Sequence, residues 1–236
     1  ELLHAIILAV VEGLTEYLPI SSTGHLIITS SFLGIAESSF TKDYTVIVQF
    51  GAILSVLVLY WRRFLSAREF YYKLALAFLP VAIIGLLVKK KIDVLLGSVL
   101  VVAVSMILGG LVLIWIDRWL DRRGHTEKIE DLSLKGSLII GFTQCLALFP
   151  GVSRSAATII GGLSQRLTRQ EAAEFSFLLG VPTLTAATCL KMVKILPTLQ
   201  PQDYQVLIVG NIISFVIGAI SVKAFVGYLN RYGFKW

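Results

Sequence analysis

The sequence predicts an all-α, polytopic integral membrane fold, and three observations carry that prediction. Only 15% of the 236 residues are charged and 56% are hydrophobic, with a mean hydropathy of +0.81. A soluble domain of this size carries about 25% charged residues. The hydrophobic residues also form long uninterrupted runs. Residues 94–116 contain neither charge nor proline, enough for a helix of about 20 residues to cross a bilayer. Finally, these runs are continuous, whereas a membrane β-barrel requires short segments of alternating residues.

In chain order, a broken apolar segment at 5–33 comes first, followed by spans at 44–61, 74–90 and 94–116. A second broken segment at 136–163 follows, then apolar stretches at 175–190 and 204–222. The start "ELLHAII" has no basic region and no small-residue cleavage site after it, so no cleavable signal peptide is expected. Cys145 and Cys189 lie in apolar segments without metal-ligand spacing and are read as packing residues.

The net charge of +6 is read as topology rather than as a nucleic-acid footprint. Of the 21 basic residues, 14 fall at 62–73, 118–135, 166–169 and 223–235, which the positive-inside rule assigns to the cytoplasm. Lys42, Lys89, Lys90, Lys91, Lys191 and Lys194 fall outside. The lysine triplet reads as snorkelling at a helix end, or as a basic rim that attracts an anionic lipid head.

The two halves share one plan. "AVVEGLTEYLPISSTGHLII" (9–28) aligns with "IGFTQCLALFPGVSRSAATI" (140–159) when Pro19 is placed over Pro150, which sets Ser22 over Ser153. "VQFGAIL" (48–54) resembles "LLGVPTL" (178–184). One membrane domain is expected over 1–236: a first repeat at 1–92, a connecting span at 94–116 and a second repeat at 136–236. Three crossings between the broken segments place the repeats in opposite orientation, an inverted-topology arrangement with binding sites near mid-membrane. Proline ends a helix and serine caps the next one, so 5–33 and 136–163 read as re-entrant helix–loop–helix hairpins whose tips meet. A kinked spanning helix in each case is the plainer alternative.

The tips carry the chemistry. Glu12 and Glu16 are four apart and share a helix face, and acids within a membrane segment usually mark function. Arg154 is the only charged residue of 136–163. A structural ion pair between Arg154 and one glutamate leaves the other glutamate unexplained. A divalent cation, Mg²⁺ or Ca²⁺, bridging the carboxylates and a phosphate explains both. If Ser22 caps the following helix, His25 lies one turn on, within reach of the Ser22 hydroxyl, the neighbour a nucleophile needs. Ser21 and Thr23 add hydroxyls. "PGVSRSAAT" reads as an anion site. Gly151 permits close backbone approach, Ser153, Ser155 and Thr158 offer hydroxyls, the helix start offers N–H groups, and Arg154 offers a planar fork. Together the two loops point to phosphoryl transfer.

"EGLTEYLPISSTGH" and "PGVSRSAAT", with "QFGAILSVLVLYWRR" and "EAAEFSFLLGVP", resemble the bacterial undecaprenyl-diphosphatases, the bacitracin-resistance membrane phosphatases. The resemblance covers nearly the whole chain. It implies an inner-membrane enzyme that hydrolyses a C55 polyprenyl diphosphate to the monophosphate, recycling the lipid carrier for cell-wall synthesis. It places essential acids at Glu12 and Glu16, serine and histidine at Ser22 and His25, and phosphate binding at Ser153, Arg154 and Thr158. It also implies divalent-cation dependence and a site open to the periplasmic side. The loop after "WRR" is shorter than is usual in that family, and one further C-terminal span is expected where this sequence ends. Ser22, His25 and a metal-bound water all remain open as the nucleophile, and a homodimer remains open. A flippase or ion-coupled carrier of an anionic lipid is the rival function.

Overall fold

The computed structural model describes residues 2–65, 68–96, 98–120 and 126–232. Arg122, Arg123 and Lys235 of the basic count lie outside the described residues. The chain is all-helical. Among the described residues the only strand-like feature is an isolated bridge between Glu127 and Leu167.

The broken segment at the start folds as α1 (Leu2–Thr15) and α2 (Ser22–Phe32), which pack on each other around the turn between them. The first expected span is itself interrupted at Val48, giving α3 (Ser39–Ile47) and α4 (Gln49–Leu59). A 3₁₀ turn, Trp61–Leu65, leads to α5 (Arg68–Leu96), which contains Pro80. The uncharged run 94–116 is divided. Val94 to Leu96 close α5, and α6 (Val99–Leu120) starts anew, with Ser98 Oγ accepting from the Val101 N–H at 3.4 Å. The lysine triplet therefore belongs to the last turns of α5 rather than to a loop.

The second broken segment is α7 (Leu134–Gln144), a 3₁₀ turn at Cys145–Leu148, and α8 (Arg154–Ser164). Then come α9 (Arg169–Ile195), containing Pro182, and α10 (Pro201–Tyr232). Serine and threonine caps start these helices as the composition suggests. Ser133 accepts from Gly136, Ser153 from Ala156 and Thr168 from Glu171. Among the described residues, four stretches are long and apolar enough to cross a membrane: Ser39–Leu59, Arg68–Val88, Arg169–Thr198 and Pro201–Leu229. The chain is thus a multi-pass helical membrane protein.

Packing is reciprocal between the halves. α1 lies along α10, and α7 lies along α5; α4 also meets α10, and α9 also meets α5. Small residues permit the close approach. A Cβ at Gly13 would fall 2.9 Å from the Gly218 nitrogen of α10, and one at Gly141 would fall 2.5 Å from the Ala77 carbonyl of α5. Between these pairs sits a buried core that includes Tyr17, Val56, Ile140, Phe177 and Leu179. The Tyr17 and Phe177 rings meet edge-on at 5.3 Å, a geometry the ring quadrupoles favour. A second core, with Leu8, Ala9, Leu26, Tyr44 and Val48, joins α1, α2 and α3.

One end of the bundle is tied by a polar cluster. Arg63 reaches Glu130 and Glu174 at 2.5 Å each. Lys73, 3% exposed, donates to the Glu130 carbonyl at 2.7 Å and pairs with Glu69 at 2.9 Å. Arg63 of the 3₁₀ turn, Lys73 of α5 and residues 129–130 therefore lie together at one end of the molecule, in keeping with the common side expected of their regions. A backbone hydrogen bond, with Arg63 nearby, holds the Glu130 carboxyl below the ordinary carboxylate range. Both cysteines are free. Cys145 is half-buried, and Cys189, expected in packing, is exposed on the surface of α9.

Candidate active site

The turn after α1 and the turn before α8 meet in the interior. Glu16 follows α1 directly, and its N–H still donates to the Glu12 carbonyl at 2.9 Å. Both glutamates thus stay on one face, and both are buried. Arg154 is the first residue of α8. Its Nη2 donates to Glu16 Oε1 at 2.7 Å, and its Nη1 donates to the Ser176 carbonyl at 2.8 Å. The Tyr17 ring lies beneath it, 5.8 Å from centroid to guanidinium carbon, a cation–π contact. The Ser155 hydroxyl donates to the Leu18 carbonyl at 2.7 Å and fastens the two turns together.

The ion pair between Arg154 and one glutamate is therefore present, and that glutamate is Glu16. The other oxygen of Glu16 accepts a hydrogen bond from the Ser22 hydroxyl. Glu12 is left over: both of its carboxylate oxygens are buried and without a hydrogen-bond partner. A buried carboxylate in that state is costly unless a proton or a cation neutralises it. Oxygen donors from paired carboxylates suit a hard divalent ion, so the residues present fit the expected cation. Among the described residues no cluster of three or more histidine, cysteine or acidic side chains forms a fuller metal cage.

The structure corrects the expected capping. Ser21, not Ser22, is the N-cap of α2, in a left-handed conformation (φ 65°), with its side chain accepting from the Gly24 N–H. A non-glycine residue in that region is sterically unfavourable, and such conformations cluster at functional sites. The shift of one residue turns the Ser22 hydroxyl toward Glu16. It also sends the His25 ring elsewhere: Nδ1 lies 2.9 Å from the Ser21 carbonyl. The expected Ser22–His25 contact is thus replaced by Ser22–Glu16.

The expected anion loop divides in the same way. Ser153 and Arg154 line the cleft. Thr158 is 1% exposed and spends its hydroxyl on the Arg154 carbonyl at 2.9 Å and the Ser176 hydroxyl at 2.6 Å. It braces α8 from behind. Gly151 has φ +90°, and its open side is filled by α6, where a Cβ would fall 2.8 Å from that of Ser105. The close approach it permits is to protein.

The cleft holds about 160 Å³ and is lined by Glu16, Ser21, Ser22, Thr23, Ser153 and Arg154 from the two turns. Gln49, Gln144 and Thr183 complete its polar wall, and Val81, Leu148 and Leu184 are among its apolar lining. The two glutamines and Thr183 escaped the sequence reading. The one signal that marked them is that each interrupts an apolar run. Chemically the arrangement offers a hydroxyl on a carboxylate, an arginine fork beside it, and a second acid, without a hydrogen-bond partner, behind.

Fold and site together define a polytopic helical membrane protein with a polar, arginine-bearing cleft in its interior, suited to an anionic group. Residues 5–236 match the family model described as Bacitracin resistance protein BacA, and the chain belongs to that family. It is 55% identical to the undecaprenyl-diphosphatase of Bdellovibrio bacteriovorus, over 99% of this chain and 89% of that protein. It is 49% identical to that of Flavobacterium psychrophilum with the same coverage, and 44% identical to that of Aquifex aeolicus over 98% and 91%.

Proposed function

We propose that this protein is a membrane phosphatase that hydrolyses undecaprenyl diphosphate to undecaprenyl phosphate and inorganic phosphate, which returns the lipid carrier to cell-wall synthesis and underlies bacitracin resistance. The observation that carries the mechanism is the Ser22 hydroxyl on the Glu16 carboxylate, whose other oxygen holds Arg154 at 2.7 Å.

The diphosphate enters the cleft between the two turns while its isoprenoid chain lies among the apolar helices. Arg154, Ser153 and the hydroxyls of Ser21 and Thr23 hold its phosphate oxygens. A guanidinium suits this task because its donors are planar and paired. Glu16 accepts the Ser22 proton as Oγ attacks the terminal phosphorus. The bond from phosphorus to the bridging oxygen breaks, and the polyprenyl phosphate leaves. Water then attacks the phosphoserine and frees inorganic phosphate and Ser22. His25 holds the strained Ser21–Ser22 turn through Nδ1. Glu12, with Glu16 beside it, would hold the divalent cation, which when bound screens the charge on the phosphates.

The same reading makes 2–32 and 134–164 re-entrant hairpins of an inverted repeat. Its support is the reciprocal packing, α1 on α10 as α7 on α5, and the joining of the two turns by Ser155 and Arg154. The orientation is cytoplasmic for 62–73 and 126–135, with the cleft opening to the outer face of a bacterial inner membrane.

Purified protein in detergent should release phosphate from undecaprenyl diphosphate, and rapid quenching should trap phosphate on Ser22. A carrier without hydrolase activity releases none. Phosphate trapped on His25 would assign the attack there, and turnover with no phospho-enzyme would assign it to water.

A further inference from the structure

Two glutamines face the cleft, and they are not equivalent. Gln144 is fully buried and committed: its Oε1 accepts from Thr183 Oγ1 at 3.2 Å, and its Nε2 points to the Ala77 carbonyl at 3.4 Å. Gln49 is 8% exposed, lines the same cleft, and makes no side-chain hydrogen bond among the described residues. Its amide atoms are not among the fully buried unpaired ones, so they open onto the cleft and can bond what enters it. Such a group in a cleft is accounted for if a ligand completes it.

Its placement is also fixed with unusual care. Gln49 is the first residue of α4, straight after the break at Val48, and no side chain of α3 or α4 caps that helix start. The cap comes from the opposite half of the chain. Asn211 Oδ1 of α10 accepts from the Gly51 N–H at 2.7 Å, while Asn211 Nδ2 donates to the Leu207 carbonyl at 2.8 Å. Gly51 presses so closely on α10 that a Cβ would collide with the Asn211 carbonyl oxygen and fall 2.9 Å from its carbonyl carbon. The first turn of α4 is thus pinned to α10, which holds the Gln49 side chain where Glu16, Ser22 and Arg154 converge. A donor held in advance stabilises developing charge without reorganising.

We propose that Gln49 is a further substrate-contacting residue, its amide N–H donating to a phosphate oxygen of the bound diphosphate, and that Asn211 is the positioning residue that fixes it. This rests on the reading of the cleft as a diphosphate site. It adds a neutral donor to a cleft lined by Arg154, so the diphosphate gains a further hydrogen bond without a second basic side chain.

The test uses the full chain in detergent with undecaprenyl diphosphate, with kcat, KM, inhibition by inorganic phosphate, and Tm measured together. Gln49→Met keeps the shape and removes the donors; Gln49→Glu keeps the shape and adds an anion. The expected result is a loss in kcat/KM of about 10- to 100-fold for methionine, the scale of a hydrogen bond to a charged group. The glutamate variant should lose more and be inhibited less by inorganic phosphate. Tm should move little in either. If methionine destabilises the chain, the Gln49→Asn and Gln49→Asp pair carries the same charge contrast in a smaller side chain. Asn211→Leu should lower kcat/KM, and the double variant Gln49→Met/Asn211→Leu should be no worse than Gln49→Met alone, because the two act through one contact. Methionine activity within twofold of wild type would overturn the proposal. So would a glutamate variant more active than methionine, which would make Gln49 a cation ligand instead. Wild-type protein that releases no phosphate would refute the diphosphatase reading itself, a result separate from any behaviour of Gln49.

Discussion

Gly180 offers a substitution in which stability and activity should part company. It lies inside α9, directly against the guanidinium of Arg154. A Cβ built there would fall 2.8 Å from Nη1, 2.9 Å from Nη2 and 3.0 Å from Cζ. Reaching an ordinary contact of 3.4 Å requires the guanidinium to retreat by about 0.6 Å. The retreating group is the end of a flexible side chain, so the fold should accommodate the methyl. Alanine in place of glycine in a helix interior even gains up to about 1 kcal/mol. The retreat nevertheless strains two bonds at once, Nη2 to Glu16 at 2.7 Å and Nη1 to the Ser176 carbonyl at 2.8 Å. Misplacement of a positioning group by about 1 Å can lower a rate by about 10²-fold. Gly180→Ala should therefore keep or raise Tm while kcat/KM for phosphate release falls by about 10- to 100-fold. Wild-type kcat/KM in a folded Gly180→Ala protein would refute the claim that the Arg154 fork acts from the position seen here. A fall in Tm as large as the fall in rate would assign Gly180 to packing alone.

Glu12→Gln should abolish turnover while leaving the protein folded, since the amide keeps the shape but cannot hold a cation; retained activity with an unchanged need for Mg²⁺ or Ca²⁺ would dismiss Glu12 as the cation's residue, and wild-type activity should disappear with EDTA and return with either ion. Arg154→Lys should lose about 2–4 kcal/mol of transition-state stabilisation, measured as kcat/KM, because an ammonium cannot hold Glu16, the Ser176 carbonyl and a phosphate in one plane. Thr158→Val should act mainly on stability, because the hydroxyl bonds Ser176 and the helix backbone rather than facing the cleft; a loss in kcat/KM with unchanged Tm would return it to the phosphate site. The Glu130 carboxyl is held low in the folded protein, so its pairing with Arg63 stabilises at neutral pH and the contribution disappears as pH falls through that lowered value. The group is largely exposed, so the effect on an acid melting curve should be small and absent in Glu130→Gln.

How much of this was written in the sequence depends on the range of the interaction. The membrane class was plain from composition and run length. The two broken segments were plain from proline, glycine and serine inside apolar runs. The pairing of Glu16 with Arg154 was half legible: one arginine and two acids allowed a pair, but not a choice of acid. The capping of α2 was not legible, because "PISST" offers consecutive hydroxyls and only the left-handed turn at Ser21 selects among them. That one residue decided the partner of Ser22 and the direction of His25. Gln49, Gln144 and Thr183 were not legible as site residues because each owes its place to packing between helices that are not neighbours in the chain, and a lone amide or hydroxyl in an apolar helix has no periodicity to betray it. The run 94–116 misled for the opposite reason. It lacks charge and proline, yet Ser98 starts a new helix within it.

The reciprocal packing of the two halves has a consequence for how the polypeptide is made. α1 leaves the ribosome well before α10, bearing the glycine notch at Gly13, and the surface that fits this notch is on α10, the last helix described. At common synthesis rates of about 5–20 residues per second, roughly 10–40 s separate the two. Throughout that interval α1 has only α2, α3 and α4 to pack on, and no helix made before α10 supplies the Asn211 bond to α4. The α1 notch is thus filled only when α10 is made, and a nascent chain stalled before α10 is the form most open to quality-control proteolysis.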